Sequence, residues 1–464
     1  MRIALIASES NPYCKSGGLA DVVYSLAKEF NAAGHEAIIV LPHYQSVQKV
    51  ETKFVCMFEV TMNWRHHTAC IYEAVSEGVK FYFIGEDYYF TRHNLYGYGD
   101  DGERFAFFSL AAKKFLEEID FKPDVVHVHD WQSAIIPMLI QKEGDQSYLK
   151  KAKTVLTIHN PAFAGWLDDD SLYQLFNLIT DEEERNRIHI YDKVSTLKAG
   201  IVYSDAVTTV SPTHAKELTQ GNAYEIGDAW VEKGARFIGV VNGVDLDEFD
   251  PSKDDKIAET YTEKTFKKGK KACKTALFES FGLQVQNGPL FVLVSRLYEQ
   301  KGIPLVLEVS HRIVERGGSL LVLGSGEFSY CQSFEELGRR YPGKVGIYVG
   351  YSQKIAHACY AGGDFFLMPS LFEPCGISQM IAQRYGCLPI ARDTGGLHDT
   401  IVDHEDGFLF HDYDYGGIRF GVDEALDLYY DDPKKMEAMQ VQAMKKDHSW
   451  KKSATQYLKL FDQI

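Results

Sequence analysis

The stretch from Asp364 to Asp399 admits few folds. Phe365–Met368 is an unbroken apolar run stopped by Pro369 and Ser370, and such runs read as parallel strands buried on both faces. Ile377, Ile381 and Tyr385 then recur at helical spacing as far as Gly386, and Leu388–Ala391 is a second apolar run. Strand, loop, helix, strand is the repeating unit of an open α/β sheet, whose ligands gather beyond the carboxyl ends of the strands. The loop placed there is Glu373-Pro374-Cys375-Gly376. Amides at a helix start lack partners and carry partial positive charge, so they suit sugar hydroxyls or a phosphate. Glu373 can accept two hydroxyl hydrogen bonds, and Gly376 lets a ligand approach the backbone. A carboxylate that merely caps the helix would read the same way.

The same alternation runs through the chain. Ile3–Ala7, Ala37–Leu41, Lys53–Thr61, Lys80–Ile84, Val125–Val128, Ala206–Val210 and Phe237–Val241 read as strands, and Glu103–Ile119 and Lys193–Tyr203 as helices. Asn242-Gly243-Val244-Asp245 breaks the pattern with turn chemistry. A polar stretch follows to Lys274, with Lys267, Lys268, Lys270 and Lys271 read as a solvated helix face. A second series then begins: Leu290–Val294, Ser319–Leu323, Val345–Val349, Phe365–Met368, Leu388–Ala391 and Phe408–Phe410. With 464 residues there is room for two or three domains, and a boundary falls near Asn242–Pro251. Trp450 to Ile464 reads as an amphipathic helix with Tyr457, Leu458 and Phe461 on its apolar face.

A net charge of −16 argues against generic binding of nucleic acid or an anionic membrane. An anionic small substrate would need positive charge placed locally against that field. Eight scattered cysteines without a Cys-x-x-Cys pair fit a reduced, cytoplasmic compartment. Met1-Arg2 leads straight into Ile3–Ala7, too short for a signal-peptide core or a membrane span. A plastid-stroma protein stripped of its transit peptide would read the same way.

Local positive charge is present at strand ends in both series. Lys15 sits in the loop after the first strand, and Gly17-Gly18 open a helix carrying Leu19, Val22, Val23, Leu26 and Ala27 at helical period. Backbone donors, a helix dipole and an ammonium group suit a phosphate, although a plain strand-to-helix turn would also use the two glycines. The loop is not a Walker motif, since Gly-x-x-x-x-Gly-Lys is absent. The nearest dinucleotide fingerprint, Gly324-Ser325-Gly326, has Ser329 where a third glycine belongs. Arg296 and Lys301 flank Gly302 after Leu290–Val294, well placed for a diphosphate or simply solvated. His127-Val128-His129-Asp130-Trp131 and Thr157-Ile158-His159-Asn160 end two strands and suggest a polar pocket rim. Zinc is not favoured there, because no third ligand has metal-site spacing; satisfied strand-end histidines are the plainer reading. Two βα domains with facing strand ends, each bearing phosphate-type groups, suit a nucleotide-activated substrate.

An ordered set of motifs carries a family resemblance over nearly the whole chain. Lys15-Ser16-Gly17-Gly18-Leu19-Ala20-Asp21-Val22 resembles the Lys-Thr-Gly-Gly-Leu signature of bacterial glycogen synthases and plant starch synthases. His129-Asp130-Trp131, Thr157-Ile158-His159-Asn160, Leu197-Lys198-Ala199-Gly200 and Val210-Ser211-Pro212 are similar to that family in order. So are Asn242-Gly243-Val244-Asp245, Ser295-Arg296-Leu297 with Gln300-Lys301-Gly302, Phe372-Glu373-Pro374-Cys375-Gly376 and Thr394-Gly395-Gly396-Leu397.

The resemblance implies a GT-B fold: an α/β protein of two Rossmann-like domains facing across a cleft. They would span residues 1–243 on the acceptor side and 244–446 on the nucleotide-sugar side, with a helix over 447–464 returning to the first. It implies a retaining glucosyltransferase, without cofactor or metal, moving glucose from ADP-glucose to the non-reducing 4-OH of an α-1,4-glucan. Lys15, Arg296 and Lys301 would hold the diphosphate, with Gly17 and Gly18 donating amides. Asp21 would lie near the ribose, and Tyr351 would stack on the base. Glu373 and the Cys375 and Gly376 amides would bind glucose hydroxyls, His159 would touch the sugar near its 6-OH, and Asp130 would lie close to the reacting centre. Asn242 and Thr394 belong to matching motifs and join the substrate-binding set.

Ser16 replaces the usual Thr, Leu371 a common Arg, and Ala164 a common Gln, and Ile381 takes the second place of a Glu-x7-Glu pattern. With no carboxylate pair set out as nucleophile and acid, front-face attack is expected, the departing phosphate taking the acceptor proton. Two alternatives stay open. One is another nucleotide-sugar transferase of this fold, with a UDP-glucose donor or a different acceptor; the other is an inactive glucan-binding homologue.

Overall fold

The computed structural model describes residues 1–464 apart from Asp145, Asn222 and Gln286. The chain forms two compact units, Met1–Val240 together with Trp450–Ile464, and Val241–Ser449.

The first unit is built on a nine-stranded sheet. Across it the strands run Phe237–Gly239, Ala206–Thr209, Lys153–Ile158, Val125–His129, Arg2–Ile6, Glu36–Pro42, Val79–Gly85, Arg65–Ser76 and Lys53–Met62. All pair in parallel as far as Val79–Gly85. The last two form an antiparallel hairpin on that edge. Ile3, Ala4, Leu5 and Ile6 are all fully buried, as expected of a parallel strand covered on both faces. The Leu19–Ala32 helix packs on this sheet through Leu19, Val22, Val23, Leu26 and Phe30, the three-and-four spacing of one helical face. Strand order reverses at Arg2–Ile6. Its neighbours are Glu36–Pro42, the next strand of the chain, and Val125–His129, reached only after the hairpin. Such a switch point leaves a crevice beyond the strand ends.

One local expectation changes. Lys193–Ser195 is a strand, pairing antiparallel with His189–Ile190 and Trp166–Leu167, and the helix begins only at Thr196. Ser195 sets that start, its side chain accepting from the Lys198 amide. The Trp450–Gln463 helix buries Trp450, Ala454, Tyr457, Leu460 and Phe461. The Phe461 ring lies 5.7 Å from that of Phe30, so this helix is part of the first unit's core.

The second unit holds a six-stranded, wholly parallel sheet. Its order is Val345–Val349, Ser319–Gly324, Leu290–Val294, Phe365–Met368, Leu388–Arg392 and Phe408–Phe410. That is the doubly wound order, with the switch point between Leu290–Val294 and Phe365–Met368. The lysine-rich Phe266–Ser280 helix corrects the solvated-face expectation at one position. Lys270 is buried and donates to the carbonyls of Tyr360, Ala361 and Tyr385. Burial lowers its pKa, and three carbonyl acceptors hold the ammonium group where water would otherwise do so. No helix among the described residues is long and apolar enough to cross a membrane.

Candidate active site

In the first unit the candidate residues gather at the switch point between Arg2–Ile6 and Val125–His129. The loop after Arg2–Ile6 carries Lys15, Gly17 and Gly18 into the Leu19–Ala32 helix, with Gly18 at its N-cap. Lys15 Nζ lies 2.8 Å from both carboxylate oxygens of Asp21, and Asn11 also donates to that carboxylate. The Lys15 and Asp21 side chains are 50% and 33% exposed. An ion pair so open to water contributes about 0–1 kcal/mol, so a diphosphate could take the ammonium group over.

The amides of this loop differ from expectation. Ser16 and Gly17 donate their N–H groups to the Glu9 carboxylate, at 2.6 and 3.2 Å. Gly17 is therefore already engaged. Glu9 is 2% exposed, and a buried carboxylate needs such donors. The sequence offered only its position just past the first strand as a signal.

Asp130 and His159 end adjacent strands and are directly bonded. The Asp130 carboxylate accepts from the His159 amide at 2.7 Å and the Asn160 amide at 3.3 Å. Asp130 has φ 55°, a left-handed conformation costly for a residue with a Cβ and concentrated at functional sites. Burial pushes its carboxyl up to about 7, against those two amides and with a smaller push from Glu9. His129 Nδ1 lies 3.1 Å from His159 Nε2. One imidazole must donate and the other accept, so the two rings cannot both be cations. Burial accordingly pushes His159 down to about 3 and His129 well below its usual range. The strand-end histidines are not fully satisfied, however. Among the described residues, His127 Nδ1 and His129 Nε2 have no partner.

In the second unit the switch point is a pocket of 210 Å³ lined by Arg296, Lys301, Ser295, Ser370, Ser378 and the ends of both central strands. Ser370 and Ser378 carry no signal of a site role in the sequence. Lys301 Nζ sits 2.5 Å from Glu373 Oε2, with side chains 15% and 9% exposed. Ser370 Oγ donates to the same oxygen at 3.2 Å. The exposed Arg296 stacks its guanidinium over the Tyr298 ring, 5.8 Å from the centroid. Gly324 and Gly326 matter here without any dinucleotide fingerprint. A Cβ on either would lie 2.1 Å from the Ser295 carbonyl oxygen or 2.2 Å from that of Leu297. Only bare glycine backbone lets the segment bearing Arg296 cross so closely.

The sugar loop is fixed from behind. The Gly396 amide donates to the Glu373 carbonyl at 2.9 Å, close to the N-terminus of the Gly395–Thr400 helix, whose N-cap is Thr394. Burial pushes the Cys375 thiol up to about 12, against a backbone hydrogen bond from Asn242. Cys375 is thus a neutral thiol, and Asn242, Glu373, Cys375, Gly376 and Thr394 belong to one neighbourhood. Tyr351 lies outside the pocket lining, beyond the edge strand Val345–Val349, and is 79% exposed. Arg392 donates to the Leu371 carbonyl, so a cation does reach that position although Leu371 replaces a common Arg. No cluster of three or more His, Cys, Asp or Glu able to hold a metal occurs among the described residues.

Known proteins resemble this chain over its whole length. Residues 2–231 match the starch synthase catalytic domain, and residues 278–446 match the glycosyl transferases group 1. Glycogen synthase of Clostridium perfringens is 39% identical over all of this chain and 98% of its own length. That of Geobacillus stearothermophilus is 38% identical, again over 100% of this chain and 98% of its own. Among solved structures, the catalytic domain of starch synthase IV from Arabidopsis thaliana, bound to ADP and acarbose, superposes with a TM-score of 0.89. It is 32% identical and covers 99% of this chain and 98% of its own. The chain belongs to the glycogen and starch synthase family, glucosyltransferases of the GT-B fold.

Proposed function

We propose that this glucosyltransferase takes glucose from ADP-glucose and adds it, with retention, to the non-reducing 4-OH of an α-1,4-glucan. The observation that carries the proposal is the switch-point pocket of the second unit, where Arg296 stands beside Lys301 and Lys301 is ion-paired to Glu373. The ADP and acarbose bound by starch synthase IV support a nucleoside diphosphate and a glucan as the ligands. Arg296, Lys301 and Lys15 meet the diphosphate, with the Gly18 amide assisting rather than that of Gly17, which Glu9 holds. Asp21 serves the ribose and Tyr351 the base. Glu373, with the Cys375 and Gly376 amides, holds the glucose hydroxyls, and Asn242 and Thr394 brace that loop.

In the reaction the bond from C1 to the phosphate oxygen breaks, and its electron pair leaves on that oxygen. The acceptor 4-OH attacks C1 from the same face and passes its proton to the departing phosphate. Positive charge grows at C1 beside the Asp130 carboxylate, and negative charge grows on the phosphate beside Arg296 and Lys301. His159 is bonded to His129 through Nε2, so its Nδ1 is the nitrogen available to the sugar. Eight free cysteines accord with a reducing, cytoplasmic setting.

The test offers labelled ADP-glucose and labelled UDP-glucose with glycogen. The expected result is label in the polymer from ADP-glucose, with far less from UDP-glucose. Preferential transfer from UDP-glucose would contradict the donor, and no transfer from either would point to a glucan-binding homologue.

A further inference from the structure

The first unit's sheet carries a polar strip in an otherwise apolar face. His129 pairs in register with Thr157, and Thr157 with Thr208, across three adjacent parallel strands. His127 shares the strand and face of His129. All four side chains are 0% exposed. Burying polar groups there is costly unless they bond one another, and an apolar set would fill the same positions.

The terminal helix closes the strip. Tyr457 OH lies 3.3 Å from Thr157 Oγ1 and 3.4 Å from Thr208 Oγ1, and the two threonine oxygens are 2.6 Å apart. Three hydroxyls in a triangle can each donate to the next and still leave a lone pair on Thr157. His127 Nε2 sits 2.7 Å from that oxygen. Since His127 Nδ1 has no partner among the described residues, the Nε2–H tautomer leaves only a bare lone pair, whereas the other would bury an unmatched N–H. The unpartnered Nδ1 therefore selects the tautomer, and the bond to Thr157, whose hydroxyl the triangle orients, fixes the ring. The His127 ring packs between Tyr457, at 5.3 Å, and His129, at 4.2 Å. His129 in turn bonds His159.

We propose that Tyr457 is a positioning residue for His159: its hydroxyl completes the triangle that fixes His127, against which the His129 ring holding His159 is packed. The helix that begins where the second unit ends at Ser449 thus orders a site residue at the far end of the strip. The proposal rests on His159 facing the sugar.

The test is Tyr457→Phe in the full-length protein, which keeps the ring and removes one hydroxyl. A net loss of one hydrogen bond predicts a fall in kcat of about 3–10-fold, with the KM for ADP-glucose unchanged. Imidazole nitrogen NMR signals of His127 and His129 should shift or broaden as the Thr157 hydroxyl loses its fixed orientation and the bond to His127 loosens. Thr208→Val, which opens the triangle from the other side, should do the same. Unchanged nitrogen signals overturn the proposal, and so does a shift in those signals with unchanged kcat or an effect confined to KM. His159→Ala separates this from the reading beneath it. If that variant retains full activity, the sugar-facing role of His159 fails, while the nitrogen signals of Tyr457→Phe still report on the triangle itself.

Discussion

Replacing Lys301 by alanine is expected to lower kcat for glucosyl transfer by about 10²–10³-fold, the range for loss of a donor aimed at developing charge. Two effects act together. The ammonium group is taken from the phosphate oxygen that receives the bonding electrons, so the loss falls on the transition state more than on binding. Glu373 also loses its partner at 2.5 Å, and a carboxylate in a residue 8% exposed keeps, among the described residues, the Ser370 hydroxyl. Leaving one charge of a buried pair unmatched costs about 3–5 kcal/mol, less here because the pocket admits water. The sugar loop should then shift, which adds a rise in KM for the donor. Steady-state assays with varied ADP-glucose separate the two contributions. Turnover at the level of the parent enzyme would remove Lys301 from the chemistry.

Asp130→Asn is expected to be nearly as damaging to activity, by about 10²-fold or more, yet to gain relative stability as pH rises. Burial holds the folded-state pKa near 7, against about 3.9 in an unfolded chain. Between those values the folded protein binds the proton and the unfolded chain does not. Stability therefore falls as pH rises from about 4 to about 7 and is level above that. Three pK units correspond to about 4 kcal/mol. Asparagine keeps an oxygen for the His159 and Asn160 amides but carries no charge, so it escapes this penalty. The difference in Tm between Asp130→Asn and the parent should grow through that window. Parent activity should rise through pH 7 as Asp130 ionises, and the variant should lack that limb. A parent profile flat through pH 7 would mean that the charged carboxylate is not needed.

Much of the fold is legible in the sequence because parallel strands are buried on both faces. Ile3–Ala7 and Phe365–Met368 are unbroken apolar runs for that reason, and Pro369 marks the loop after the second. Arg65–Ser76 was not legible. It opens Arg65-His66-His67 and belongs to an edge hairpin with one wet face, where charge is tolerated. Lys193–Ser195 was hidden by helical residues that follow it directly.

For the site, residue types at strand ends were enough to select Lys15, Asp130, His159, Arg296, Lys301 and Glu373. Partners were not, because they come from tertiary contact. No spacing rule reveals that Glu9 takes the Ser16 and Gly17 amides, or that Lys270 turns inward to three carbonyls. Tyr457 read as one more apolar contact of an amphipathic helix. Its hydroxyl acquires a purpose only once Thr157 and Thr208 are seen side by side on neighbouring strands.

The central claim is that one nucleotide sugar draws on positive groups from both units. The most direct measurement is the ADP affinity, by titration calorimetry, of the Lys15→Ala and Arg296→Ala proteins. Each should bind ADP about 10–100-fold more weakly than the parent, the loss expected for a hydrogen bond to a charged group. ADP bound by either variant as tightly as by the parent would contradict the claim.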